Sequence, residues 1–268
     1  MNNACLISRL SLIARLAVFV ATLLAFPSSS LAQLNVLISG GFSGAYQQVL
    51  PEFERATGIT VTTGSGASQG TGTQTIAAQL LRGVPADVVI LSREGLAELI
   101  AAGRIVAGTD VDLARVPLGA AVHAGAPKPD IGTVEAFRQA LLNAKTVAVP
   151  GSTSGIYLTT KVFPQLGITD RITVKVTERG SQAAGMVAAG DAAIVVQPVS
   201  ELVRVPGIEF VGRIPNEVQL VQVFAAAIVA GSTEPDAGRR LIQFLASDRA
   251  AAAIEKTGMD PILKRDAN

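Results

Sequence analysis

Four short stretches combine glycine, which lets a backbone approach a ligand closely, with serine or threonine hydroxyls that donate hydrogen bonds. They are residues 40–44 (GGFSG), 64–73 (GSGASQGTGT), 150–155 (PGSTSG) and 178–181 (ERGS). Each follows a run with strand composition and precedes a helical one, so each falls where a helix N-terminus presents unpaired backbone N–H groups to an anion. The candidate contacts are Gly41, Phe42 and Ser43 in the first stretch, Ser68 and Thr73 in the second, and Ser152, Thr153 and Ser154 in the third. Any one stretch reads more readily as an ordinary helix cap. Four in corresponding positions point to one anion site. Arg93 and Arg179 stand at comparable strand ends, where a guanidinium can clamp a carboxylate through two parallel hydrogen bonds. If the ligand were also to exchange a proton, His123, Glu178 and Arg179 are the residues that could take part.

Composition narrows the chemistry. The 268 residues carry 22 Lys+Arg against 21 Asp+Glu, with one His, one Cys and no Trp. Arg9 and Arg15 precede the apolar residues 16–26, followed by Pro27, three serines and the small pair Ser30 and Ala32. That pattern reads as a signal peptide over residues 1–32, cleaved before Gln33, and it places the mature chain in the periplasm. The signal holds two arginines, no acids and the one cysteine, Cys5, so the mature chain is close to neutral and has no thiol. A basic footprint for nucleic acid is absent, as are disulfides, thiolate sites and a His-rich metal centre. No metal and no cofactor is expected, and the chain is expected to be a monomer.

Positioning such loops requires strands and helices in alternation. Residues 34–39, 59–63, 87–91, 145–149, 173–176 and 192–196 read as strands; 45–57, 75–82, 94–102, 155–166, 182–189 and 234–246 read as helices. The fold class is α/β, with mixed and mostly parallel sheets flanked by helices. Residues 117–125 and 221–231 are apolar and extended, and they read as two hinge crossings between two lobes. The lobes are expected at 33–117 with 223–268, and at 118–222.

Several motifs resemble those of the molybdate-binding proteins of bacterial ABC transporters and, more broadly, type II periplasmic solute-binding proteins. They are Ser43-Gly44-Ala45 with Phe53-Glu54 and Thr57-Gly58, Gln79 with residues 83–88 (GVPADV), Gly155-Ile156-Tyr157, and Gly190-Asp191 before an apolar strand. The resemblance implies a two-lobed protein that captures a small anion and hands it to an inner-membrane ABC permease. It places Thr73 where a second ligand serine stands, and Gln197 where a tyrosine is usual. Gly41 replaces the usual first-loop serine, and residues 152–155 read STSG in place of Val-Pro-Ala-Gly. These departures favour a larger anion with more acceptor oxygens, a di- or tricarboxylate, over plain molybdate. Aconitate isomerase is, by the same resemblance, an enzyme on this scaffold, so proton transfer along a small tricarboxylate is the alternative to capture.

Overall fold

The computed structural model describes residues 33–263; the expected signal peptide lies outside the described residues. The chain begins with β1 (Gln33–Ile38), α1 (Gly40–Thr57), β2 (Thr60–Ser65), α2 (Ile76–Leu81), β3 (Val88–Ser92) and α3 (Arg93–Ala101), then enters the long strand β4 (Val111–His123). It continues through α4 (Val134–Ala144), β5 (Thr146–Pro150), α5 (Thr153–Tyr157), a π-helical turn (Leu158–Val162), α6 (Phe163–Gln165), β6 (Thr173–Thr177), α7 (Gly180–Ala188) and β7 (Ile194–Pro198). A 3-10 turn (Val199–Glu201), β8 (Ile208–Arg213), β9 (Val221–Ile228), α8 (Pro235–Leu245), α9 (Asp248–Lys256) and β10 (Asp260–Pro261) complete it. The α/β class expected from the alternation is the class observed.

The strands run in the order β2-β1-β3-β9-β4-β7-β5-β6, with β8 and β10 also pairing to β4. Parallel trios, β2-β1-β3 and β6-β5-β7, lie at the two ends. Antiparallel β9 and β4 join them. β4 changes partners along its length: residues 111–117 pair with β9, and residues 118–123 pair with β7 and β8.

Strand side chains alternate between the two faces of the sheet, and the sequence uses that alternation throughout. Val36, Ile38, Val88, Ile90, Ala226 and Ile228 face a core closed by α1, α8 and α9, while Leu37, Val89, Leu91, Ala225 and Ala227 face α2 and α3. At the other end, Val147, Val149, Ile194 and Val196 pack with Phe137 and Leu158, whereas Ala148 and Val195 pack with Ala183 and Val187 of α7. With both faces covered, the strands read as continuous apolar runs.

Helix α1 starts five residues earlier than its composition suggests, because residues 40–44 are its first turn and not a loop before it. Glycine is a poor helix former, but here contact decides: a Cβ on Gly41 would collide with the Phe224 ring of β9. At its far end Gly58 takes the left-handed conformation (φ 69°) and donates to Glu54 O, a normal stop. Asp87, in the GVPADV segment, is buried. It accepts from Asn35 N (2.8 Å), Ser232 Oγ (2.8 Å), Thr233 N (3.1 Å) and Glu234 N (3.3 Å), tying β1 to the turn that begins α8. The segment is a structural clamp.

Candidate functional site

The loops at the carboxyl ends of β1, β2, β5, β6 and β7 enclose a cavity of about 540 Å³, within the range of small-molecule sites. Ser39 and Gly41 reach it from the start of α1, Ser65 from the end of β2, Ser68 from the loop after it, and Ser152 and Ser154 from the start of α5. Arg179, Gly180 and Ser181 enter from the start of α7, and Ser200 and Glu201 from the turn after β7. Gln222 and Phe224 of β9 form part of the wall. Strand ends and helix starts thus converge here for the reason parallel sheets generally bind at that edge.

The polar groups facing the cavity are incompletely used by the protein itself. Among the described residues, the buried side-chain polar atoms without a hydrogen-bond partner are Ser39 Oγ, Ser200 Oγ, Gln222 Oε1 and Gln197 Oε1. The first three belong to cavity-lining residues. Buried polar groups are normally paired, so such a cluster marks where a ligand supplies the missing partners. Ser39 occupies the N-cap position of α1 yet makes no side-chain cap bond, leaving its hydroxyl for the cavity.

The starts of α1 and α7 meet at one carboxyl. A Cβ on Gly40 would strike Glu201 Oε1, and a Cβ on Gly180 would strike both oxygens of the same group. No hydrogen bond or ion pair to either oxygen forms among the described residues. Desolvation by burial pushes this carboxyl up to about 7. Across the cavity, burial pushes the Tyr46 phenol up to about 12, although its hydrogen bond with Thr63 Oγ1 (2.9 Å) pulls the other way.

The sequence candidates divide by position. Gly41, Ser43, Ser68, Ser152, Ser154, Glu178 and Arg179 line the cavity. Arg179 reaches across it and donates to Ser65 Oγ (2.8 Å) and Ser65 O (2.7 Å). Glu178 is exposed at the rim. The others lie elsewhere. Phe42 is fully buried in the core beneath α1. Thr73 is exposed on the outside of its loop, where its carbonyl accepts from Arg82 (2.8 Å). Thr153 bonds Ser92 Oγ (2.8 Å) and Gln69 Oε1 (2.7 Å), knitting the second and third loops together behind the cavity. Gln197 is buried and donates to Glu201 O (2.9 Å).

Arg93 and His123 are corrections to the expected site. The guanidinium of Arg93 is held by Asp110 (2.6 Å) and Asp112 at the approach to β4, two acids whose relation to it depends on the chain folding back. His123 ends β4 in an exposed position with its ring Nδ1 2.8 Å from Ala124 O. Ser39, Ser200, Glu201 and Gln222 join the site without having stood out in the sequence, and Ser65 joins it from the second stretch without having been a named contact. The rule that singles out the other loops also covers Ser200 and Glu201, since they follow β7 directly; a 3-10 turn in place of a glycine-rich loop hides them. Among the described residues, no group of three or more His, Cys, Asp or Glu side chains is placed to hold a metal ion.

Comparison with known proteins places this geometry. Residues 34–260 match the family described as bacterial extracellular solute-binding protein. An aconitate isomerase from Pseudomonas sp. is 38% identical over 255 residues, covering 95% of this chain and 97% of that protein. Among solved structures, the periplasmic molybdate-binding protein of Azotobacter vinelandii superposes with a TM-score of 0.65 at 19% identity, covering 87% of this chain and all of that one (100%). The sulfate-binding protein of Mycobacterium tuberculosis H37Rv superposes at 0.70 with 19% identity, covering 86% and 87%. At these identities the two structural likenesses concern the fold.

Proposed function

Since the chain belongs to the bacterial extracellular solute-binding protein family, we propose that it is an exported periplasmic protein that closes on a small tricarboxylate and isomerises it, interconverting cis- and trans-aconitate. The observation that carries this reading is the 38% identity with an aconitate isomerase along nearly the full length of both chains. The cavity supports it. Unpartnered Ser39 and Ser200 hydroxyls, the start of α1 and the Arg179 guanidinium are donors suited to carboxylate oxygens. Gln222 can present either its carbonyl or its amide N–H, and so can meet a carboxylate or a protonated carboxyl. The same donors would stabilise charge that develops on a ligand carboxylate when a neighbouring C–H is deprotonated. Export rests on the n-region, apolar run and small residues of 1–32.

A second reading, capture of an unchanged anion for an ABC permease, is favoured by the fold shared with molybdate- and sulfate-binding proteins. The two separate on one measurement. Mature protein incubated with trans-aconitate in D₂O is expected to yield the cis isomer carrying deuterium, followed by proton NMR. Tight binding with no exchange and quantitative recovery of the ligand would give the protein to capture. Arg93→Ala and His123→Ala are expected to leave trans-aconitate affinity and turnover unchanged, since neither side chain reaches the cavity. Arg93→Ala should lower stability by about 1 kcal/mol or less, as its ion pairs are partly exposed.

A further inference from the structure

We infer that Glu201, whose carboxyl lies in the cavity against the starts of α1 and α7, is the group that carries the proton between the two ligand carbons. The role rests on the isomerase reading. Neither Glu178 nor His123 is suited to it: the first is exposed at the rim and the second lies outside the cavity.

Placement is the main ground. The Glu201 carboxyl lies against the backbone of Gly40 and Gly180, where any side chain would displace it, so glycine at both helix starts leaves room for it. Ser200 and Ser39, with their unpartnered hydroxyls, and Gln222 line the same cavity. A carboxylate in a pocket built for an anion weakens capture through like-charge repulsion, which makes it a costly feature for a binding protein. For proton transfer it is the needed part. The other titratable and charged groups lining the same cavity are Arg179 and Glu178 at the start of α7 and Tyr46 of α1. Tyr46 holds its proton far above neutrality, whereas the Glu201 carboxyl, near 7, can exist in both forms at working pH.

The step balances without any other reagent. Ionised Glu201 removes a proton from the ligand CH₂ carbon; a C–H bond breaks and a carboxyl O–H bond forms. The released electron pair makes a new C=C bond while the old double bond opens, and its charge spreads onto the carboxylate of the far carbon. That carbon then takes the proton back from Glu201. One C–H bond is lost and one is made, and nothing is oxidised or reduced. The start of α1, Ser39 and Arg179 face the oxygens where charge develops.

Glu201→Gln tests the role, because it keeps the shape and removes the proton-carrying oxygen. The variant is expected to fold and to bind trans-aconitate within about tenfold of wild type, and to lose isomerisation, with any accompanying deuterium exchange, by about 100-fold or more. Wild-type kcat/KM is expected to fall as pH drops below about 7, where the carboxyl of the free protein is protonated. Glu201→Asp should retain part of the exchange, with that limb displaced. Folding is checked by melting. The folded-state value near 7 stands above the ordinary value of 4.5, so wild type loses stability as pH rises through that interval and Glu201→Gln does not. Exchange by Glu201→Gln close to the wild-type rate overturns the inference and leaves the isomerase reading standing. Loss of exchange together with ligand affinity also overturns it, in favour of a binding role. A wild-type protein that binds trans-aconitate and returns it without forming the cis isomer overturns the isomerase reading, and the role with it.

Discussion

Asp87→Ala is expected to lower the free energy of unfolding by about 3 kcal/mol, a large effect for one truncated side chain, because it leaves several part-buried donors without an acceptor at once. Asn35 N, Ser232 Oγ, Thr233 N and Glu234 N all converge on this carboxylate. Burial by itself would raise its pKa, but the hydrogen bonds from Asn35, Ser232, Glu234 and Thr233 outweigh it and hold the group below the ordinary carboxylate range. A carboxyl depressed in the folded state contributes stability above its unfolded value near 3.8. That contribution is lost as pH falls through the lower folded value. Urea unfolding should therefore give a lower midpoint with an unchanged m-value for Asp87→Ala at pH 7. For Asp87→Asn the deficit should shrink as pH falls below about 3.8, where the unfolded chain takes up a proton that the folded carboxylate still resists. A variant as stable as wild type would show that water reaches the four donors.

Arg179→Ala is expected to weaken trans-aconitate binding by about 10- to 100-fold, the range for a charge-assisted hydrogen bond to a carboxylate. Arg179 is the one cationic side chain among the residues lining the cavity, and it already spans the opening to Ser65. Two effects combine on truncation: a ligand carboxylate loses its cation, and the loops after β2 and β6 lose their link. Arg179→Lys separates them. An ammonium keeps the charge but not the planar fork, so it should recover part of the affinity and not the geometry. Isothermal calorimetry at two salt concentrations measures both, since the ionic part weakens with screening. Unchanged affinity in Arg179→Ala would leave the arginine as a tie between loops and nothing more.

Much of the architecture is legible in the sequence because it is local. Strands such as LNVLIS and DVVIL announce themselves by apolar runs of strand length, and helices by glycine stops such as Gly58. Several elements escape such a reading. The strand β8 is only partly buried and lacks alternation strong enough to read, and α9 is built from a polar sequence with four consecutive alanines. Helix α4, capped by Thr133 and burying Phe137, Ala140 and Leu141, has a helical spacing that could have been found. The first turn of α1 could not, since three glycines in five residues argue against a helix until Phe224 is known to press on Gly41.

For the site, residue types and chain position lead only as far as the loops. By itself the sequence determined an α/β chain with small, hydroxyl-rich junctions after its strands, because alternation, glycine stops and cap residues act within a few positions of one another. Which junction residues face one cavity was decided by the tertiary structure. Arg93 turns to Asp110 and Asp112, Thr153 turns to Ser92 and Gln69, and Glu201 comes to rest between helix starts at residues 40 and 180. Each outcome depends on partners brought close by sheet pairing and helix packing. The direction of a polar side chain is settled by whichever donor, acceptor or solvent lies nearest in space, and spacing along the chain does not encode that distance.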